Sequence, residues 1–138
     1  MFLLEITKGG STAVQQHLFE KVIYVLEGHG STQVELANGS KHLFEWGPRS
    51  LFAIPLNARY RHFNGSGTDR ALIVATTNCA TVMNLFNDES FVFDQPYDFS
   101  VRAGKDGYFT GDGDFHEIRQ GNHMWAVSYT HLTLPTSG

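Results

Sequence analysis

Two stretches decide the fold: QQHLFEKVIYVLEG, residues 15–28, and GPRSLFAIPLNARYRHFN, residues 47–64. Each is a short run of β-branched, aromatic and aliphatic residues cut off by glycine, proline or asparagine, the composition of a strand ending in a turn. Side chains alternate across a strand, so parity says which residues can share a face. Gln15 and His17 share one. Lys21, Ile23 and Val25 share another, opposite Val22, Tyr24 and Leu26. Tyr60, His62 and Asn64 lie together on a third. A run that is apolar on both faces, as in 21–27, predicts cover on its outer side as well.

Working outward, turn signals separate eight predicted strands: Phe2–Thr7, Thr12–Leu18, Lys21–Glu27, His29–Leu36, Lys41–Trp46, Ser50–Ile54, Arg59–Asn64 and Arg70–Thr77. Asn38-Gly39 predicts a type I′ hairpin, because both residues tolerate positive φ. Eight short strands at this spacing predict an all-β jelly roll. Ala80–Asn87 reads as a short helix or a ninth strand. Residues 88–125, rich in Gly and Asp, show no sustained periodicity and read as an extended arm.

Length and composition narrow the classes. A chain of 138 residues with eleven Phe, five Tyr and two Trp makes one aromatic-rich domain. A net charge of −4 and no basic run argue against nucleic-acid binding. No apolar run has the length of a membrane span or signal peptide, so the default compartment is cytoplasmic. The one cysteine, Cys79, cannot form an intrachain disulfide and reads as a small buried hydrophobe. No phosphate loop, Gly-x-Ser-x-Gly or paired-cysteine metal motif is present.

The stretch 15–28 resembles the leading motif of the cupin superfamily, His-x-His followed by Glu and a closing Gly. The stretch 47–64 resembles the trailing motif, in which Gly and a Pro-containing turn precede His and Asn. The resemblance implies a double-stranded β-helix, a jelly-roll barrel, with one divalent metal (iron, manganese, copper or zinc) held inside. Registered on Gly28, Pro55 and Asn64, the four metal-binding positions hold Gln15, His17, Lys21 and Tyr60. His62, two residues along from Tyr60, is a substitute ligand on the same face. The implied metal set is therefore His17, His62, Gln15 and Tyr60, with Lys21 and Tyr60 as catalytic residues and Lys21 gripping a substrate anion. A slip of one residue would exchange Lys21 for Glu20 and pair His17 with Glu20. His29 and His42 read as solvated.

The resemblance implies a metal-dependent oxidoreductase of dioxygenase type acting on a small organic acid or sugar. The alternative is a metal-free cupin that binds a small molecule through Lys21, Tyr60 and Gln15. Expected organisation is a cupin barrel over 1–86, an arm or linker over 87–126 toward a missing segment, and an artefactual tail over 127–138. That tail, VSYTHLTLPTSG, resembles a translated sequencing adaptor, which makes the chain a truncated fragment by expectation. The apolar face of Val22, Tyr24 and Leu26 predicts a homodimer.

Overall fold

The computed structural model describes residues 1–97, 99 and 109, together with the backbone of three later strands, 114–118, 123–127 and 131–133. Strands run β1 (Phe2–Ile6), β2 (Lys21–Glu27), β3 (Gly30–Glu35), β4 (Lys41–Trp46), β5 (Ser50–Ala53), β6 (Arg59–Asn64) and β7 (Ala71–Thr77). Helices α1 (Cys79–Phe86) and α2 (Glu89–Phe93) follow, then β8 (Asp114–Ile118), β9 (His123–Val127) and β10 (His131–Thr133).

Two antiparallel sheets make the barrel. One has the order β1-β7-β2-β5-β10 and the other β4-β3-β6. Burial follows the alternation of the sequence. On β2, Lys21, Ile23 and Val25 are buried, and on β6 so are Tyr60, His62 and Asn64. Ile23, Val25, Phe52 and Ile73 of the first sheet meet Val34, Trp46 and Tyr60 of the second in one core. At about 25 cal/mol per Å2 of apolar surface, each large side chain buried there contributes roughly 2 kcal/mol. The result is a jelly roll.

Several expectations are corrected. The second predicted strand, Thr12–Leu18, is not continuous. Its segment touches the free edge of β6 at two single bridges, Ser11 with Phe63 and Gln15 with Tyr60. That is enough to bring Gln15 and His17 over the end of β6. The hairpin at Asn38-Gly39 is not type I′, because only Gly39 takes positive φ (83°). Gly39 N–H donates to the Leu36 carbonyl, and the Asn38 side chain accepts from Ser40 N–H. Asn38 thus satisfies the turn with its amide rather than with a strained backbone.

Ala80–Asn87 is helical rather than a strand, and Asn87 caps it in the left-handed conformation. The expected arm is not structureless. α2 is capped by the Asp88 side chain, β8 pairs with β9, and Phe109 stacks on His42, which is therefore not simply solvated. Within the expected tail, β10 pairs with the outer edge of β5, Leu132 opposite Leu51. Beyond residue 97, all but residues 99 and 109 and these three strands lies outside the described residues. No helix among the described residues is long and apolar enough to cross a membrane.

The outer face of β2 is only half covered. Val22 and Leu26 are each about two-fifths exposed, at 41% and 42%. Across the sheet Leu3, Val74, Tyr24 and Leu51 stand in one cross-strand row.

Candidate ligand-binding site

Lys21 opens β2 and points inward, with only 4% of its surface exposed. Glu20, one residue earlier, is exposed, and its backbone N–H donates to the Asn78 side chain. The register that would pair His17 with Glu20 is therefore not the one adopted. Buried lysines normally have a carboxylate partner. Among the described residues none lies within ion-pair distance of Lys21, and the salt bridges are those of Arg70 with Glu5 and Glu27. Lys21 Nζ donates instead to Tyr60 Oη at 3.1 Å and to Gln15 Oε1 at 3.4 Å. The Phe2 ring centroid lies 5.0 Å from Nζ, a cation–π contact that stabilises the ammonium by about 1 kcal/mol. Loss of water outweighs it, and burial lowers the Lys21 pKa from its ordinary value.

Tyr60 is the hub. Its hydroxyl lies 2.7 Å from His17 Nε2 and 3.0 Å from Gln15 Oε1. His17 Nδ1 lies 2.9 Å from the Phe19 carbonyl, which can only accept, so Nδ1 carries a proton. Burial, with the Lys21 charge adding to it, pushes the His17 pKa down to about 4. The ring is therefore neutral at pH 7, and Nε2 is left as a lone pair that takes the Tyr60 proton. Burial raises the Tyr60 pKa, which keeps the phenol protonated. Phe19 stacks on the His17 ring at 3.9 Å between centroids, and Phe93 of α2 meets Phe19 edge-on. A hydrogen bond from Leu18 N–H to the Val92 carbonyl ties α2 to this segment.

His62 sits apart from that hub. Its Nδ1 lies 2.7 Å from Thr32 Oγ1, which also accepts from Trp46 Nε1 at 2.9 Å. The His62 ring is fully buried, Nε2 has no hydrogen-bond partner among the described residues, and burial pushes its pKa down to about 3. Of the residues singled out from sequence, Gln15, His17, Lys21 and Tyr60 come together, and His62 lies behind Tyr60 with the rings tilted and their centroids 5.3 Å apart. Asn64 serves the backbone, donating to the carbonyls of Ile6, Thr7 and Asp69.

A cavity of about 700 Å3 opens over this cluster. Gln15, His17 and Lys21 form its polar base, with Gln16 and Arg59 beside them. Phe2, Val14, Phe19, Cys79 and Phe93 form an apolar wall. That size and mixture suit a small organic ligand with one polar end. Sequence reasoning missed Phe2, Phe19, Phe93 and Arg59 as site residues. Only Phe19, two residues beyond His17, carried a local signal. Thr32 was also missed, although its inward parity with Gly30 and Val34 places it opposite His62.

Solved structures share this architecture. Hazelnut (Corylus avellana) vicilin superposes on 53% of the chain with a TM-score of 0.50 and 16% identity. Peruvianin-I, titled a cysteine peptidase from Thevetia peruviana latex, superposes on 55% with a TM-score of 0.51 and 20% identity. The barrel is a cupin barrel. The cumin domain of Drosophila melanogaster CENP-C superposes on 55% of the chain at a TM-score of 0.51 and 9% identity. The chain spans only 20% of the vicilin, 47% of peruvianin-I and 56% of the CENP-C domain. Relatives this diverse share a fold and no single chemistry. No family model matches the sequence, and no curated protein matches it.

The metal that a cupin barrel implies can be tested against the donors. His17 has Nδ1 on the Phe19 carbonyl and Nε2 on Tyr60, so neither nitrogen is free. His62 has one nitrogen on Thr32 and does not line the cavity. No group of three His, Cys, Asp or Glu side chains able to hold a metal occurs among the described residues. Lys21 adds a cation. At about 4 Å and an effective dielectric near 20, a divalent ion beside an ammonium costs about 8 kcal/mol. The described residues do not fit a metal.

Proposed function

We propose that this barrel is a metal-free cupin that binds a small organic molecule, with an oxygen-bearing head group against Lys21 and Gln15, which Tyr60 holds from behind, and an apolar body against Phe2, Phe19 and Phe93. One observation carries the reading: a buried lysine with no carboxylate partner among the described residues, at the base of a 700 Å3 cavity. A ligand oxygen would supply the acceptor that the protein withholds. The oxidoreductase of dioxygenase type suggested by the family motifs would need a redox metal among donors that are already engaged. A carboxylate head suits the ammonium best, and Arg59 in the same wall adds a permanent cation.

The test is titration of chelator-treated protein with benzoate and phenylacetate, followed by calorimetry and thermal shift. Binding is expected without metal. Lys21→Met should weaken it by about 2 kcal/mol, roughly thirtyfold, the contribution of a charge-assisted hydrogen bond. Binding that appears only after iron, manganese, copper or zinc is restored would overturn the reading in favour of the metal enzyme.

A further inference from the structure

We propose that Lys21 is an amine nucleophile that captures an aldehyde or ketone as an imine at the base of the cavity. This rests on the binding reading above and names the ligand class: a carbonyl compound with an apolar body. The arrangement of acceptors leads to it. Lys21 Nζ has two, Tyr60 Oη and Gln15 Oε1, which match the two N–H bonds of a neutral amine. Among the described residues an ammonium finds no third oxygen or nitrogen acceptor, only the Phe2 ring 5.0 Å from Nζ. In the neutral form the remaining position on nitrogen is the lone pair, and Lys21 lines the cavity. Lys8 and Lys41, by contrast, are exposed. Burial, which lowers the Lys21 pKa, raises the share of free amine.

Imine formation also needs a group that moves protons, and Tyr60 stands 3.1 Å from the nucleophile. Its hydroxyl is oriented by His17 Nε2, whose tautomer the Phe19 carbonyl fixes. The Nζ lone pair forms a bond to the carbonyl carbon, and the carbonyl π pair moves to oxygen. One Nζ proton passes through the Tyr60 hydroxyl to that oxygen, giving a neutral carbinolamine. The C–O bond then breaks, hydroxide leaving as water with the second Nζ proton by the same route. Amine and carbonyl become imine and water, with no oxidant or reductant consumed.

The test incubates the full chain with benzaldehyde and sodium cyanoborohydride, which fixes an imine as a stable secondary amine, and maps the adduct by mass spectrometry. Lys21 should be labelled at least about tenfold faster than Lys8, Lys41 or Lys105, as an amine beside a proton-moving hydroxyl requires. Lys21→Arg should lose that adduct, and Tyr60→Phe should slow labelling at saturating benzaldehyde by at least about tenfold. Labelling spread evenly over the lysines, or slowest at Lys21, would overturn the proposal. Benzoate binding without selective labelling would sink the imine and leave the binding reading standing, whereas loss of both would sink the two together.

Discussion

Two buried neutral histidines should make this barrel acid-labile well above the range where carboxylates titrate. His17 is held at about 4 and His62 at about 3, against 6.5 for a solvated imidazole, chiefly because burial strips water from the charged form. Both folded values lie below the unfolded one, so the unfolded chain binds the extra protons. The stabilisation is complete above pH 6.5 and is lost as pH falls through 6.5 toward 4. At about 1.4 kcal/mol per pH unit and proton, two imidazoles together cost about 2.7 kcal/mol per pH unit in that window. The loss reaches on the order of 7 kcal/mol at pH 4, comparable to the whole stability of an ordinary domain. With His17 only 6% exposed and His62 fully buried, solvent screening takes little of this away. Urea unfolding at pH 7.5, 6.5, 5.5 and 4.5, followed by circular dichroism, measures the slope. His17→Gln should cut it roughly in half, whatever its effect on absolute stability. A flat profile between pH 6.5 and 4.5, or an unchanged slope in His17→Gln, would refute the idea that both rings are buried and neutral.

Further outcomes follow from the same geometry. Lys21→Glu should replace repulsion by an anionic ligand and raise manganese, copper and zinc affinity about a hundredfold, or about 2.8 kcal/mol, and adding Tyr60→His should raise it further. Metal titration of the variants that shows no gain would mean that the cluster cannot open to an ion. Sedimentation is expected to show a symmetric dimer built on the row of Leu3, Val74, Tyr24 and Leu51, which Tyr24→Glu should dissociate; a monomeric parent at micromolar concentration would count against it. Deleting Val127–Gly138 removes the three-residue ladder on β5 and the Val127 end of the β8–β9 pair, and should lower the melting temperature by no more than about 2 °C. A drop of several degrees would make β10 an integral strand.

The sequence by itself determined the barrel and the inward faces of its strands. Alternation in KVIYVLE and RYRHFN marks Lys21, Ile23, Val25, Tyr60 and His62 as one set, because the period of a strand leaves no other assignment once one face is buried. Other features were decided only when distant segments met. Whether Lys21 or Glu20 enters the barrel depends on the loop at Phe19, whose ring stacks on His17 and whose carbonyl fixes the His17 tautomer. Asn38-Gly39 carried a strong hairpin signal, yet the turn type was settled by a side-chain bond to Ser40 that competes with positive φ at Asn38. The state of the site follows from neighbours 39 to 45 residues apart: Tyr60 with Lys21, His17 and Gln15. Composition cannot say which nitrogen is already engaged or which ammonium lacks a carboxylate. Those are properties of three-dimensional distance and of water excluded by packing.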